Sequence, residues 1–324
     1  MNRRPPDAEP GPMGDRPGGP PRLTEGEFGV LYRSLRSRAA WAAGDRGALD
    51  AVTPARVVAA AREVRTGRTV TLAAPVDTLP GPDNPEPARH RMIGQPDEDT
   101  SHALHFARDS FAMNVHGDAD SHIDALCHVI YDGTLHGGVA ASSVTASGAR
   151  ALSIEAARDG IVGRGVLLDI PRLRGVPWLE PGDHVTADDL TAAETAQDVR
   201  VGEGDLLFVR VGHRRRRAEL GPWHAARERV GLHPTAMEFL ADRKVAVLGG
   251  DGNNDTAPSS TEGVDFPVHV LAIHAMGLHL LDYLQFEDLV PVCEAEGRWS
   301  FLCVIAPLRL PQATGSPVNP IAVL

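Results

Sequence analysis

Residues 118–128 read Asp-Ala-Asp-Ser-His-Ile-Asp-Ala-Leu-Cys-His, and no other stretch limits the fold and chemistry of this chain so tightly. Its even positions carry Asp118, Asp120, His122, Asp124 and His128; its odd positions carry Ala119, Ser121, Ile123, Ala125 and Cys127. Side chains of an extended strand alternate between its two faces, so this pattern predicts one packed face and one row of metal-type ligands. Residues i and i+2 on one face stand about 7 Å apart, close enough for His122 and Asp124 to lean onto one ion. Asp118 begins a six-residue run that would span about 20 Å if straight. It joins the other two only if the chain curls near Gly117, where the missing Cβ permits a bend.

The stretch resembles the signature H-x-G-T-H-x-D-x-P-x-H of the cyclase family of metal-dependent hydrolases, which includes bacterial kynurenine formamidase and isatin hydrolase. His122, Asp124 and His128 stand in register with it, with Ser121 in place of Thr. Asp118 replaces the first His, Asp120 the Gly and Leu126 the Pro. In the family the first two His and the Asp bind the metal, and the last His works on the substrate. The resemblance thus implies Asp118, His122 and Asp124 as ligands and His128 as the catalytic proton carrier. His116, just upstream on the same parity, is a rival for the place of Asp118.

The resemblance runs from about Trp41 to Leu308. Near the amino end it rests on Trp41, Asp45, Gly47, Leu49 and the run Gly67-Arg68-Thr69-Val70-Thr71-Leu72. Further on it rests on Gly231-Leu232-His233-Pro234 and the following segment to Asp251. A distant His and Glu complete the family's metal shell; His269 matches the first, and Asp282, one methylene shorter, stands where the Glu falls. The implied fold is an α/β, swivelling β/β/α-type single domain, found in homo-oligomers, here a dimer or tetramer. Mixed His and carboxylate donors suit one divalent ion, Zn²⁺ or Mn²⁺. Family members use such an ion to activate water against an amide or ester carbonyl, and His128, near-neutral in pKa, would shuttle the proton. The function implied is hydrolysis of an amide, lactam or ester of a small, aromatic molecule. A metal-assisted cyclase or dehydratase, and a metal- or ligand-binding relative without turnover, are the competing readings.

The 324 residues suffice for a large core, and no apolar run approaches the ~20 residues of a membrane span. A net charge of −11 argues against nucleic acid or an anionic membrane as the main partner, and the resemblance implies a small-molecule substrate instead. Three cysteines, Cys127, Cys293 and Cys303, make no disulfide framework, so a cytoplasmic setting is expected.

Residues 1–23, rich in Pro, Gly and Arg, read as a disordered tail before a domain at 24–324. Thr24-x-x-Glu27 predicts a capping box for a helix to about Trp41, and Thr53-Pro54 opens a second helix. Thr191-x-x-Glu194 predicts a cap for a later helix. Residues 77–100 read as a long loop, and His105–Val115 as a strand running into the ligand stretch. Gly165–Ile170, Leu206–Val211 and Lys244–Leu248 read as fully buried strands. The four arginines after His213 read as a solvated run. Asp251-Gly252-Asn253-Asn254-Asp255 with Glu262 mimics a calcium loop but lacks its Gly and follows a strand, so it is set aside. Cys127, on the packed parity, is expected in the core. No G-x-S-x-G nucleophile elbow is present.

Overall fold

The computed structural model describes residues 21–94, 104 and 106–324. The expected tail therefore lies outside the described residues except for its last three, and Leu23 is already tied down by its N–H to the Ser260 carbonyl at 2.9 Å.

Nine strands form one mixed sheet: β1 Thr69–Thr71, β2 His122–Asp124, β3 Ile161–Asp169, β4 Leu206–Arg210, β5 Val247–Gly250, β6 His279–Asp282, β7 Ser300–Ile305, β8 Gly315–Pro317 and β9 Ile321–Val323. Their spatial order is β1-β9-β7-β3-β4-β5-β6-β2-β8. The centre, β3 to β6, is parallel, and the strands outside it pair antiparallel. The parallel strands are the continuous apolar runs: every residue of β4, β5 and β6 is buried. Helices covering both faces of a parallel sheet demand that pattern. The expected α/β single domain is the observed one.

The helix signals fare unevenly. Thr24 and Glu27 form the expected capping box of α1, Glu25–Arg38. Thr191 caps nothing: α2 runs Ala187–Ala196 from Thr186, whose capping box partner is Asp189. Glu194 is buried near the far end of that helix, accepting from the Val201 N–H and from Arg243 of α4, Met237–Arg243. The helix begins five residues earlier than expected because T-x-x-D serves as a capping box as well as T-x-x-E.

The arginine run is not a solvated face. It forms α3, His213–Leu220, with His213 and Arg214 buried and only Arg215 of the four arginines exposed. The helix enters behind the ligand stretch, where Arg214 donates to the carbonyls of Ala119 and Leu284 at 2.9 and 3.1 Å. Arg217 binds Asp77 at 2.7 Å and Asp83 at 2.5 Å. The region read as a long loop holds a strand, Arg89–Gly94, paired antiparallel with Arg108–Ala112 outside the main sheet. That second strand is shorter than the expected His105–Val115 and does not run into β2; residues 95–103 and 105 lie outside the described residues.

One glycine contact brings the amino-terminal region to the sheet. Gly47 has φ +56°, and a Cβ there would fall 2.2 Å from the Gly277 carbonyl oxygen, which accepts from the Ala48 N–H at 2.8 Å. Only glycine permits that approach, which sets the segment around Trp41–Leu49 beside the turn leading into β6.

Candidate metal centre

Strand β2 is three residues long and wholly buried. It lies between β6 and β8, and its register sets Asp282 opposite His122 and Gly315 opposite Asp124. Directly opposed residues of an antiparallel pair have Cβ atoms about 5 Å apart, so ligands from chain positions 160 residues apart become neighbours. A Cβ on Gly315 would meet Cε1 of His116 at 2.8 Å; glycine there leaves room for the His116 ring.

The donors converge on Asp124. Its carboxylate oxygens lie 3.7 Å from His122 Nε2, 3.5 Å from His269 Nε2, 4.0 Å from His128 Nε2 and 2.8 Å from His116 Nδ1. His269 Nε2 also stands 3.3 Å from Asp282 Oδ2. Two sets of donor atoms lie within 4.8 Å of one another, His116–His122–Asp124 and Asp124–His269–Asp282, and they share Asp124. His122, Asp124, His269 and Asp282 are thus brought together as the sequence reading expects. Asp118 is in neither set: it lies in the wall of the same cavity, and its Oδ1 accepts from the Tyr283 hydroxyl at 2.8 Å. His116 is the group that stands close to Asp124 instead, with its other ring nitrogen 2.8 Å from Thr314 Oγ1.

The inner nitrogens of the two key imidazoles are occupied, leaving the outer ones to face the carboxylates. His122 Nδ1 is 2.8 Å from the Asp120 carbonyl, and His269 Nδ1 is 2.6 Å from Asp255 Oδ2. Asp255 also accepts the N–H groups of Val268 and His269, at 2.6 and 2.9 Å, fixing the turn Pro267–His269 that precedes a π-helical segment, Val270–Ala275. Asp282 is braced by Asn253 Nδ2 at 3.1 Å and by the Asn254 backbone N–H at 3.3 Å. A carbonyl or carboxylate behind a histidine fixes its tautomer and orientation, which is how metal-binding imidazoles are held.

Electrostatics test the fit of a cation. Asp124 and Asp282 are 1% and 2% exposed, and among the described residues neither is paired with Lys or Arg. Two buried carboxylates need compensating charge. Burial pushes the Asp124 carboxyl up, yet His128, His116, His269 and His122 together hold it well below the usual carboxylate range. Burial opposes charge on His269, but Asp282, Asp124 and Asp255 outweigh it and lift the imidazole well above its ordinary range. A site that draws positive charge onto a buried histidine has the donor set for a divalent cation. The residues fit.

His128 sits at the edge. Its ring stacks on His116 with centroids 3.8 Å apart and planes at 10°. Burial, opposed by Asp124, pushes its pKa down to about 4, below the near-neutral value expected from the sequence, so the imidazole is neutral at neutral pH. Two further histidines of this region are packed away from the donors: His274 bonds Tyr32 and Thr134, and His279 is buried in β6. Cys127 is core, as its parity implies.

The sequence reading missed Asp255, Asn253, Asn254, Tyr283 and Arg214. The signal lay in the segment set aside as a false calcium loop: Asp251–Asp255 follows β5 directly and supplies the groups that brace Asp282 and His269. Asp251 itself is fully buried and accepts the N–H groups of Val211 and Gly212 at 2.7 and 2.8 Å, which fixes the start of α3.

The family model named Cyclase matches residues 50–254. A crystal structure described as a novel cyclase is 30% identical, with 90% of this chain and 99% of that one covered and a TM-score of 0.78. The chain belongs to the cyclase family. This cyclase-family protein shares its fold with isatin hydrolase A from Labrenzia aggregata, solved with benzyl benzoate bound, at 20% identity over 79% of this chain and 93% of that one, TM-score 0.56. An isatin hydrolase bound to the product analogue thioisatinate is likewise 20% identical over 83% and 95% of the two chains, TM-score 0.53. Comparison with curated proteins returns no match.

Proposed function

We propose that the protein is a metal-dependent hydrolase that opens an amide, lactam or ester bond of a small aromatic molecule. The observation that carries this reading is the convergence of His122, Asp124, His269 and Asp282, with His116 beside them, on one face of a cavity of about 540 Å³. Val129, Ile130, Tyr131, Val264, Phe266 and Val270 give that cavity an apolar wall suited to an aromatic ring. The fold shared with isatin hydrolases, named for hydrolysis of a bicyclic aromatic lactam, agrees with both features.

In this reading His122, Asp124, His269 and Asp282 hold one Zn²⁺ or Mn²⁺, with His116 the closest further donor. Such an ion lowers the pKa of bound water and polarises a carbonyl. The chain's own residues do the rest. The apolar wall positions the ring and excludes water. His128, neutral and mostly buried at the cavity wall, takes a proton at Nε2 and returns it to the leaving nitrogen or oxygen. We place the protein in a homo-oligomer, a dimer or tetramer, which light scattering of the purified chain measures directly.

The test combines metal analysis with assays on formyl anilides, isatin-type lactams and aryl esters. Turnover that a chelator abolishes and Zn²⁺ or Mn²⁺ restores is the expected result. Turnover indifferent to chelation overturns the metal's role; a metal-loaded protein inert toward the whole panel overturns the hydrolase.

A further inference from the structure

Asp118 stands where the cyclase signature has a histidine, yet its carboxylate is turned to the Tyr283 hydroxyl at 2.8 Å. Tyr283 is 1% exposed and sits at φ +56°, a left-handed conformation uncommon for a bulky residue. Its N–H is held by the Gly252 carbonyl at 3.0 Å, so the hydroxyl is fixed from behind and Asp118 is presented in one orientation. Asp118 is half-buried in the cavity wall, and among the described residues it has no cationic partner.

The charge around it is one-sided. No Lys or Arg is among the described residues lining the cavity, whereas Asp265 is a second acid at its rim. The nearby guanidiniums do not line the cavity and are engaged by backbone carbonyls, that of Arg229 lying behind the Phe266 ring at 5.1 Å from its centroid. Arg214 donates to the carbonyls of Ala119 and Leu284, and Arg229 to those of Asp255, Ala225 and Ala226. A divalent ion is balanced by Asp124 and Asp282 alone, which leaves Asp118 with charge and hydrogen-bonding capacity facing the cavity.

We propose that Asp118 is a substrate-selecting residue, and that the site takes a small aromatic amide or ester bearing an ammonium or other cationic nitrogen in preference to one bearing a carboxylate. The inference rests on the hydrolase reading and adds the substrate's charge to it. Asp118 receives the cationic nitrogen on the oxygen not held by Tyr283, while the ring lies along the apolar wall. A carboxylate in the same place faces Asp118 with no compensating cation and is rejected by like charge.

The experiment uses metal-loaded protein and three phenyl acetates with a meta trimethylammonium, hydroxymethyl or carboxylate group. Each kcat/KM is divided by that ester's rate with hydroxide. The expected order is ammonium over neutral over carboxylate, by about tenfold at each step. Asp118→Asn should bring the three within about threefold while keeping its metal, since the substitution removes charge but not shape. A carboxylate-first order, or a ranking that survives in Asp118→Asn, overturns the proposal. Loss of the metal from Asp118→Asn also overturns it, by making Asp118 a ligand. If none of the esters is hydrolysed, the selectivity is read from binding, and the hydrolase reading is judged separately on the formyl anilides and lactams. Calorimetry with benzyltrimethylammonium and benzoate then decides the selectivity: tighter benzyltrimethylammonium binding that Asp118→Asn abolishes supports it, and equal or reversed binding overturns it.

Discussion

Asp255 shows how much of this site is decided one residue behind the ligands. It is not among the residues lining the site cavity, yet its carboxylate takes the His269 ring N–H and two backbone N–H groups, so it sets both the tautomer and the position of the histidine. Replacing it by Asn keeps the shape but presents the ring with the wrong group on at least one side. Asp255→Asn is expected to weaken metal affinity about 10–100-fold with the fold intact, the usual worth of such a partner; a metal titration followed by fluorescence or calorimetry reads it, and unchanged affinity removes Asp255 from the site. His128 is the complementary case, near the ion's donors but outside the tightest set. His128→Ala should leave metal content and melting temperature close to wild type and cut turnover about 10²–10⁴-fold. Parallel loss of stability would make His128 structural, and loss of metal would make it a ligand.

The strands show which features a sequence can disclose and which it cannot. His122 and Asp124 were legible because a period of two is a local property: alternate residues must share a face wherever the strand goes. Asp282 was legible through its place in the family pattern, and the β2–β6 register supplies the physical reason, setting it opposite His122. Asp255 and the two asparagines were not legible, because their use depends on where the loop after β5 meets a turn about a dozen residues later. Arg214 misled for the same reason; a run of arginines reads as solvated until a helix start happens to be buried. Strand β6 also carries a liability. His279 is fully buried, neither ring nitrogen has a hydrogen-bond partner among the described residues, and burial pushes its pKa down to about 4. Between pH 6.5 and about 4 the unfolded chain binds a proton there that the folded chain does not, so stability falls as pH falls through that window, by about 3 kcal/mol in all from this residue. His279→Leu should raise stability at pH 7 by about 1–3 kcal/mol and flatten the acid limb of a melting-temperature profile. A variant less stable than wild type at both pH 7 and pH 5 would show that the imidazole is satisfied and needed.

At the scale of the whole molecule, the sheet order explains why the site needs most of the chain. The short strand β2 sits near one edge, β6 and the loop after β5 reach it from the parallel centre, β8 closes it from the carboxyl end, and α3 braces it from behind. The α/β domain and cyclase membership were readable from motif order along the chain. Among the described residues no helix is long and apolar enough to cross a membrane. All of this assembly is arranged around two buried carboxylates that no Lys or Arg among the described residues balances, and the account therefore turns on a cation at that point. The most direct measurement is an anomalous difference map from a crystal grown with Mn²⁺. The account predicts a single dominant peak within coordinating distance, about 2.0–2.3 Å, of His122 Nε2, His269 Nε2 and carboxylate oxygens of Asp124 and Asp282. A metal-saturated crystal with its peak elsewhere, or with none at these four residues, would contradict it.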